Sequence, residues 1–314
     1  MNEHVAEAFE SGFLSQPLAK QITHCDTNEL APLFLRLFLE RQPVLEAGCG
    51  SGRWCGWFYK HSIHCDGLDW SEELCSRASH EMPYSTFIAC DMGDAPFPDC
   101  SYAGIVALGS IEHTADGPHK ALKEFSCLLR PGGVAVITVP YGGRLRILLQ
   151  HLMRPIFLLK SCDLVRRLFV KPVGGTTLRQ ARQATNRQWH PTFLHGPHGW
   201  FFYEYEFNQR HMRAFCTEAG LEILVEAVGF GNEGILHNFG RLAGTWNEER
   251  ADVDFTPLGR ILRGIIPVEV MGHMLCYVVA KTGSVHDSRD SDSVASLCTA
   301  AGAGQDLMGS ASRS

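Results

Sequence analysis

No stretch of this chain reaches the roughly 18 uncharged apolar residues that a membrane-spanning helix needs. The nearest, Leu145 to Val170, is broken by Arg146, Arg154, Lys160, Arg166 and Arg167 and by Pro155. The twelve cysteines contain no Cys-x-x-Cys pair. That absence argues against a zinc site on the usual ligand spacing and against a thioredoxin-like redox pair. The cysteines read instead as free thiols of a reducing cytosol. Met1 to Ala8 lacks both a basic and an apolar segment, so no secretory signal and a cytoplasmic location are expected. Basic excess is also missing. With 28 Lys and Arg against 34 Asp and Glu, the net charge is −6, and no global field would draw a nucleic-acid partner.

What is present suits an ordinary globular protein. Apolar residues make up 45% and charged residues 20% of 314 positions, enough to bury a substantial core. Residues 1–42 read as an N-terminal helical segment, 43–282 as the main domain and 283–314 as a Ser-, Asp-, Ala- and Gly-rich disordered tail. Thr27 to Arg41 has helical apolar spacing, with Thr27 or Asn28 as its cap and Pro32 in the first turn. Strand and helix patterns then alternate. Residues 43–47, 64–68, 85–89, 102–108 and 134–139 read as strands, and 51–61, 71–81 and 119–129 as helices. That rhythm predicts a Rossmann-like α/β fold, a mostly parallel seven-stranded sheet with helices on both faces. Residues 141–200 interrupt it as an insert or lid. The core pattern resumes with an aromatic, alternating Trp200 to Phe207, a helix over 209–219 and a strand over 221–228. One or two helices over 232–266 and a strand over 273–280 complete an antiparallel edge.

Glu46, Gly48, Gly50 and Gly52 close the first strand and open a helix. Such a loop can bring backbone amides close to a ligand or can simply make a tight turn. Its spacing selects among ligands. The sixth position counted from Gly48 is Arg53, and from Gly50 it is Cys55, so the dinucleotide fingerprint Gly-x-Gly-x-x-Gly is absent. No Gly-Lys-Ser/Thr follows either, which excludes a Walker loop. An NAD(P)-dependent reductase becomes the rival on the same fold, and a non-catalytic binding module the rival of another class.

Val44-Leu-Glu-Ala-Gly-Cys-Gly-Ser-Gly-Arg53 resembles the first motif of class I S-adenosylmethionine-dependent methyltransferases, in the branch of "type 11" and quinone-biosynthesis small-molecule enzymes. Four further pieces follow in family order: Gly67-Leu-Asp69-Trp70-Ser71, Cys90-Asp91-Met92, Leu108-Gly-Ser-Ile-Glu112-His113 and Leu129-Arg-Pro-Gly-Gly133. The resemblance covers 27–140 well and 200–282 loosely. It implies that Glu46, Gly48, Gly50 and Gly52 line the methionine half of S-adenosyl-L-methionine. Asp69 would accept both ribose hydroxyls, with Trp70 against the adenine. Asp91 would accept the adenine amino proton, flanked by Met92, and Leu108, at the end of strand four, would also bind the cofactor. Each acid also has a plainer reading as a solvated loop residue.

A general base matters only where the acceptor must lose a proton early. His113, at the ligand-binding end of the fourth strand, is the first candidate, beside the reading that it packs the turn. Glu112 reads as structural. His190, His195 and His198 fall within a stretch rich in aromatics, Gly and Pro that could line an acceptor pocket. No acidic ligand lies close by, and no metal is expected. Between Tyr141 and His190, ten Lys or Arg face a single acid, Asp163, among many Leu, Ile and Phe. Such cationic amphipathic helices can cap a hydrophobic, lipid-like acceptor, touch anionic membrane through residues 144–171, or form an ordinary lid.

Overall fold

The computed structural model describes residues 10, 12–161, 175–183, 185–196 and 198–283. The expected tail beyond Gly283 and residues 162–174 of the basic stretch lie outside the described residues. Two helices, α1 (Leu18–Cys25) and α2 (Ala31–Phe38), precede the first strand. Asn28 Oδ1 accepts the Leu30 amide at 2.9 Å just ahead of α2, and Pro32 occupies its first turn. There follow β1 (Val44–Ala47), α3 (Arg53–Lys60), β2 (Cys65–Asp69), α4 (Glu72–Glu81), β3 (Phe87–Ala89), β4 (Tyr102–Leu108), α5 (His119–Leu128) and β5 (Leu129–Pro140). The Ser71 hydroxyl accepts the Leu74 amide, and Glu72 and Glu73 sit at the positive end of α4.

Beyond β5 come α6 (Arg144–Ser161), α7 (Leu178–Gln183), β6 (Pro191–Gly196), β7 (Gly199–Tyr205), α8 (Gln209–Glu218) and β8 (Leu221–Gly229). The chain then forms α9 (Gly231–Phe239), a short hairpin of β9 (Gly244–Asn247) and β10 (Asp252–Phe255), α10 (Pro257–Ile265), α11 (Val268–Met271) and β11 (Met274–Lys281). The seven-stranded sheet has the order β3-β2-β1-β4-β5-β11-β8. β1 to β5 pair in parallel, and β11 runs antiparallel to both of its neighbours. The antiparallel strand therefore stands one place in from the edge that the sequence suggested. Leu275 to Ala280 are all buried, as a strand covered on both faces requires.

Trp200 to Phe207 also differs from expectation. It does not join the main sheet; β7 pairs with β6 in a separate two-stranded hairpin. Its inward aromatics, Tyr205 and Phe207, pack into the core beneath α5 and α8, so the alternation is real but serves a different partner. The other face of the sheet carries α1, α2 and α3. There Phe34 meets Trp54 edge-on at 4.9 Å, and Phe38, Trp57 and Phe58 surround them. Burying each of these rings contributes roughly 1.5–3 kcal/mol. Together they clamp α3, and hence the glycine loop, against the sheet. Among the described residues, no helix is long and apolar enough to cross a membrane.

Candidate active site

The loop between β1 and α3 turns through left-handed backbone, with φ +79° at Gly48 and +53° at Gly50. A Cβ on Gly48 would stand 2.5 Å from Ser110 Cβ and 3.5 Å from Met92 Cε. This glycine is thus where the ends of β1, β3 and β4 converge. Ser110 Oγ donates to the Ala47 carbonyl at 3.0 Å and fixes that junction. At Gly50, the Phe13 ring lies 3.0 Å from where a Cβ would be. Gln21 holds this cover in place, donating to the Phe13 carbonyl and accepting from Ser51 Oγ at 2.6 Å. Sequence reasoning missed Phe13 and Gln21, because no motif marks them.

Asp69 ends β2 almost fully buried. Its Oδ2 accepts the Gly50 amide at 2.8 Å and its Oδ1 the Ser71 amide at 3.0 Å. Burial pushes this carboxyl up, while the amides of Ser71, Gly50 and Trp70 pull it back. Each carboxylate oxygen offers two lone pairs, so both keep capacity for a second donor. Trp70 follows, half-buried. Cys90 donates its amide to the Asp69 carbonyl at 2.8 Å, which sets the end of β3 beside that of β2. Asp91 is exposed there, with Oδ1 on the Gly93 amide at 2.8 Å. Asp69, Asp91, Met92 and the glycines therefore border one end of the sheet.

Glu46 has another part. Its Oε2 accepts the Cys55 amide at 3.1 Å and lies 3.2 Å from Cys55 Sγ, and burial raises its pKa to about 8. It braces the first turn of α3. Leu108 packs half-buried against the core before Gly109 turns the chain. The ten cysteines among the described residues are free thiols, and Cys55 and Cys65 lie with sulfurs 3.4 Å apart.

A second polar group follows β4 directly. Ile111 to His113 form a single 3-10 turn. His113 Nδ1 lies 2.8 Å from the Tyr203 carbonyl of β7, and Nε2 lies 3.7 Å from Glu112 Oε1. Hydrogen bonds to the backbone of Tyr203 and of Gly109 hold the ring in this position. One ligand-type atom each from Glu112, His113 and Glu204 lie within 4.8 Å of one another. Burial, and next the Glu204 charge, hold Glu112 well above the usual carboxylate range. Burial, then the charge of Glu206, raises Glu204 to about 8, and burial lowers His113. Glu112 Oε2 is buried with no partner.

Glu204 went unnoticed because alternation over 200–207 marks a strand but not what its polar members meet. Glu206 is buried as well, accepting from Arg146 and Gln150, so one arginine of the basic stretch anchors α6 instead of facing water. A carboxyl whose folded pKa exceeds its unfolded value is neutral in its effect below the unfolded value. It destabilises progressively as pH climbs toward the folded value. Glu204→Gln is thus expected to raise the melting temperature at pH 8 and leave it nearly unchanged at pH 5, a contrast that differential scanning fluorimetry reads.

The remaining histidines do not converge on this cluster. His190 precedes β6 in left-handed backbone, whereas His195 sits near the hairpin tip opposite Trp200. Five residues of extended chain separate them by roughly 16 Å. His190 instead faces His211, with ring centres 6.1 Å apart.

Comparison with known proteins places this geometry. A family model described as a methyltransferase domain matches residues 44–133. A Mycolicibacterium smegmatis protein named "Probable S-adenosylmethionine-dependent methyltransferase" is 31% identical over 97 residues, 31% of this chain and 37% of its own length. A Mus musculus protein named "Probable tRNA methyltransferase 9B" is 28% identical over 138 residues, 39% of this chain and 30% of that protein. The chain thus spans about a third of these relatives. Among solved structures, an S-adenosylmethionine-dependent methyltransferase of Methanosarcina mazei shares the fold at a TM-score of 0.51 and 13% identity, covering 80% of this chain and 97% of that one. A Haloferax volcanii chain, from a complex of the Trm112 methyltransferase activator with a methyltransferase, has a TM-score of 0.50 and 17% identity, covering 90% and 97%. Residues 44–133 thus match a methyltransferase domain, and the sheet around them shares its fold with a solved S-adenosylmethionine-dependent methyltransferase.

Proposed function

We propose that this chain transfers a methyl group from S-adenosylmethionine to a small, apolar acceptor whose reacting atom gives up a proton. The observation that carries this reading is the buried Glu112, His113 and Glu204 group beginning two residues beyond Ser110, which itself lies against Gly48. When bound, the sulfonium supplies an electrophilic methyl carbon and a neutral leaving group. The chain's own residues then have two tasks. Asp69 and Asp91 hold the nucleoside through its sugar and base, and Phe13 shields the loop from water. His113, whose pKa burial lowers, receives the acceptor's proton, with Tyr203 fixing its ring. Half-buried aromatics of the β6–β7 hairpin, such as Phe202 and Tyr203, favour an apolar acceptor there.

The relatives named for tRNA raise a rival acceptor. A net charge of −6 disfavours it, since phosphate contacts dominate such binding. Release of S-adenosylhomocysteine by the purified chain, against a panel of apolar phenols, alcohols and amines and against bulk tRNA, separates the two. Turnover is expected with a member of the panel. Turnover confined to tRNA would replace the small molecule. Activity lost to a chelator and restored by a divalent cation would recast Glu112, His113 and Glu204 as metal ligands.

A further inference from the structure

Apart from the two cores flanking the sheet, Ile235, Ala243 and Met271 form a third, small one. Leu145 of α6, Phe239 of α9 and Leu262 and Ile266 near α10 pack against it. Around this unit, large apolar side chains face outward. On α6, Leu148 and Leu152 are 54% and 65% exposed, one turn apart on a single stripe. On α10, Leu258, Ile261 and Ile265 are exposed at spacings of three and four, Ile265 to 72%. Leu242, also 72% exposed, joins them, because its carbonyl accepts from the hydroxyl of Thr256, the cap of α10. An outward apolar stripe on a helix already anchored by its other side is more than scattered surface leucine.

The charge on the two helices themselves is of one sign, with Asp254 of β10 and Glu269 of α11 exposed on adjoining elements. Neither α6 nor α10 carries an Asp or Glu, in a chain whose net charge is −6. Arg144, Arg241, Arg260 and Arg263 are all exposed along them. We propose that this face seats on an anionic phospholipid surface, its leucines and isoleucines entering the headgroup boundary and its arginines meeting lipid phosphate and carboxylate. The basic sequence around α6 alone would suggest half of this surface; α10 and Leu242 supply the rest. Pairing with a second copy fits less well, since a two-fold interface would set these arginines against each other. The proposal stands apart from methyl transfer and can fail without it.

Flotation of the full chain with vesicles of phosphatidylcholine and phosphatidylserine tests it, beside vesicles of phosphatidylcholine alone. The protein is expected to float with the anionic vesicles at low salt and to detach as salt screens the arginines. The double substitution Ile261→Asp and Ile265→Asp should lower the bound fraction about tenfold or more, while the melting temperature stays unchanged because both side chains face outward. Protein that remains in the soluble fraction at low salt overturns the proposal. So does a double variant that floats like the parent, or a dimer in light scattering that the same substitutions dissociate.

Discussion

Asp69→Asn should weaken binding of S-adenosylhomocysteine by about 10²- to 10⁴-fold, since two hydrogen bonds to a charged acceptor contribute roughly 1.5–3 kcal/mol each. The carboxylate is committed on both oxygens, to the amides of Gly50 and Ser71. Replacing one oxygen with an amide nitrogen sets a donor against one of those amides and removes an acceptor for the ribose. Titration calorimetry reads the loss directly. A melting temperature within a few degrees of the parent would show that the loop still folds and that the loss belongs to the ligand. Asp91→Asn supplies the contrast. That side chain is exposed and accepts the Gly93 amide; on the proposed reading it makes a single contact to the base, so a loss of only about tenfold is expected. Unaltered affinity in both variants would remove the sugar- and base-reading roles together.

His113→Asn should lower kcat by about 10²- to 10⁴-fold, the range for a positioned general base. Its amide nitrogen can replace Nδ1 on the Tyr203 carbonyl, which preserves the packing of β7 while deleting Nε2. The pH profile adds a readout that packing alone would not move. Burial lowers the His113 pKa below 6.5, so the base is protonated and inactive only on the acid side of that value. The parent rate should fall there, and the variant should lose that limb. A variant with parental kcat and an unshifted profile would return His113 to the role of a turn residue.

The sheet was legible in advance because glycine loops and β-branched runs are local signals. Tyr102 to Leu108 matches the expected bounds, and β1, α3, β2, α4 and α5 fall within one or two residues of theirs. Order was legible too, since strand–helix alternation leaves few right-handed topologies. Two things were not. The place of β11 inside the sheet depends on a ladder to β5, more than a hundred residues earlier, and no local pattern reports such pairing. The buried polar group after β4 depends on Tyr203 and Glu204 reaching across to Glu112 and His113, a meeting of chain segments ninety residues apart. Asp69 could be named because its role is written beside a motif. Glu204 could not, because it acquires one only through a neighbour.

On the proposed reading, that second meeting separates two tasks. The loops proposed to hold the nucleoside lie at the ends of strands that share one continuous ladder, whereas Tyr203 and Glu204 come from β7, which with β6 forms a sheet of its own. Apart from the bridge between Tyr141 and Phe207, no strand pairing among the described residues binds that hairpin to the main sheet. Its residues can change without disturbing the register that aligns the cofactor loops. Selectivity for the molecule being modified can therefore drift, or be engineered by exchanging one hairpin, while the apparatus that supplies the methyl group stays as it is.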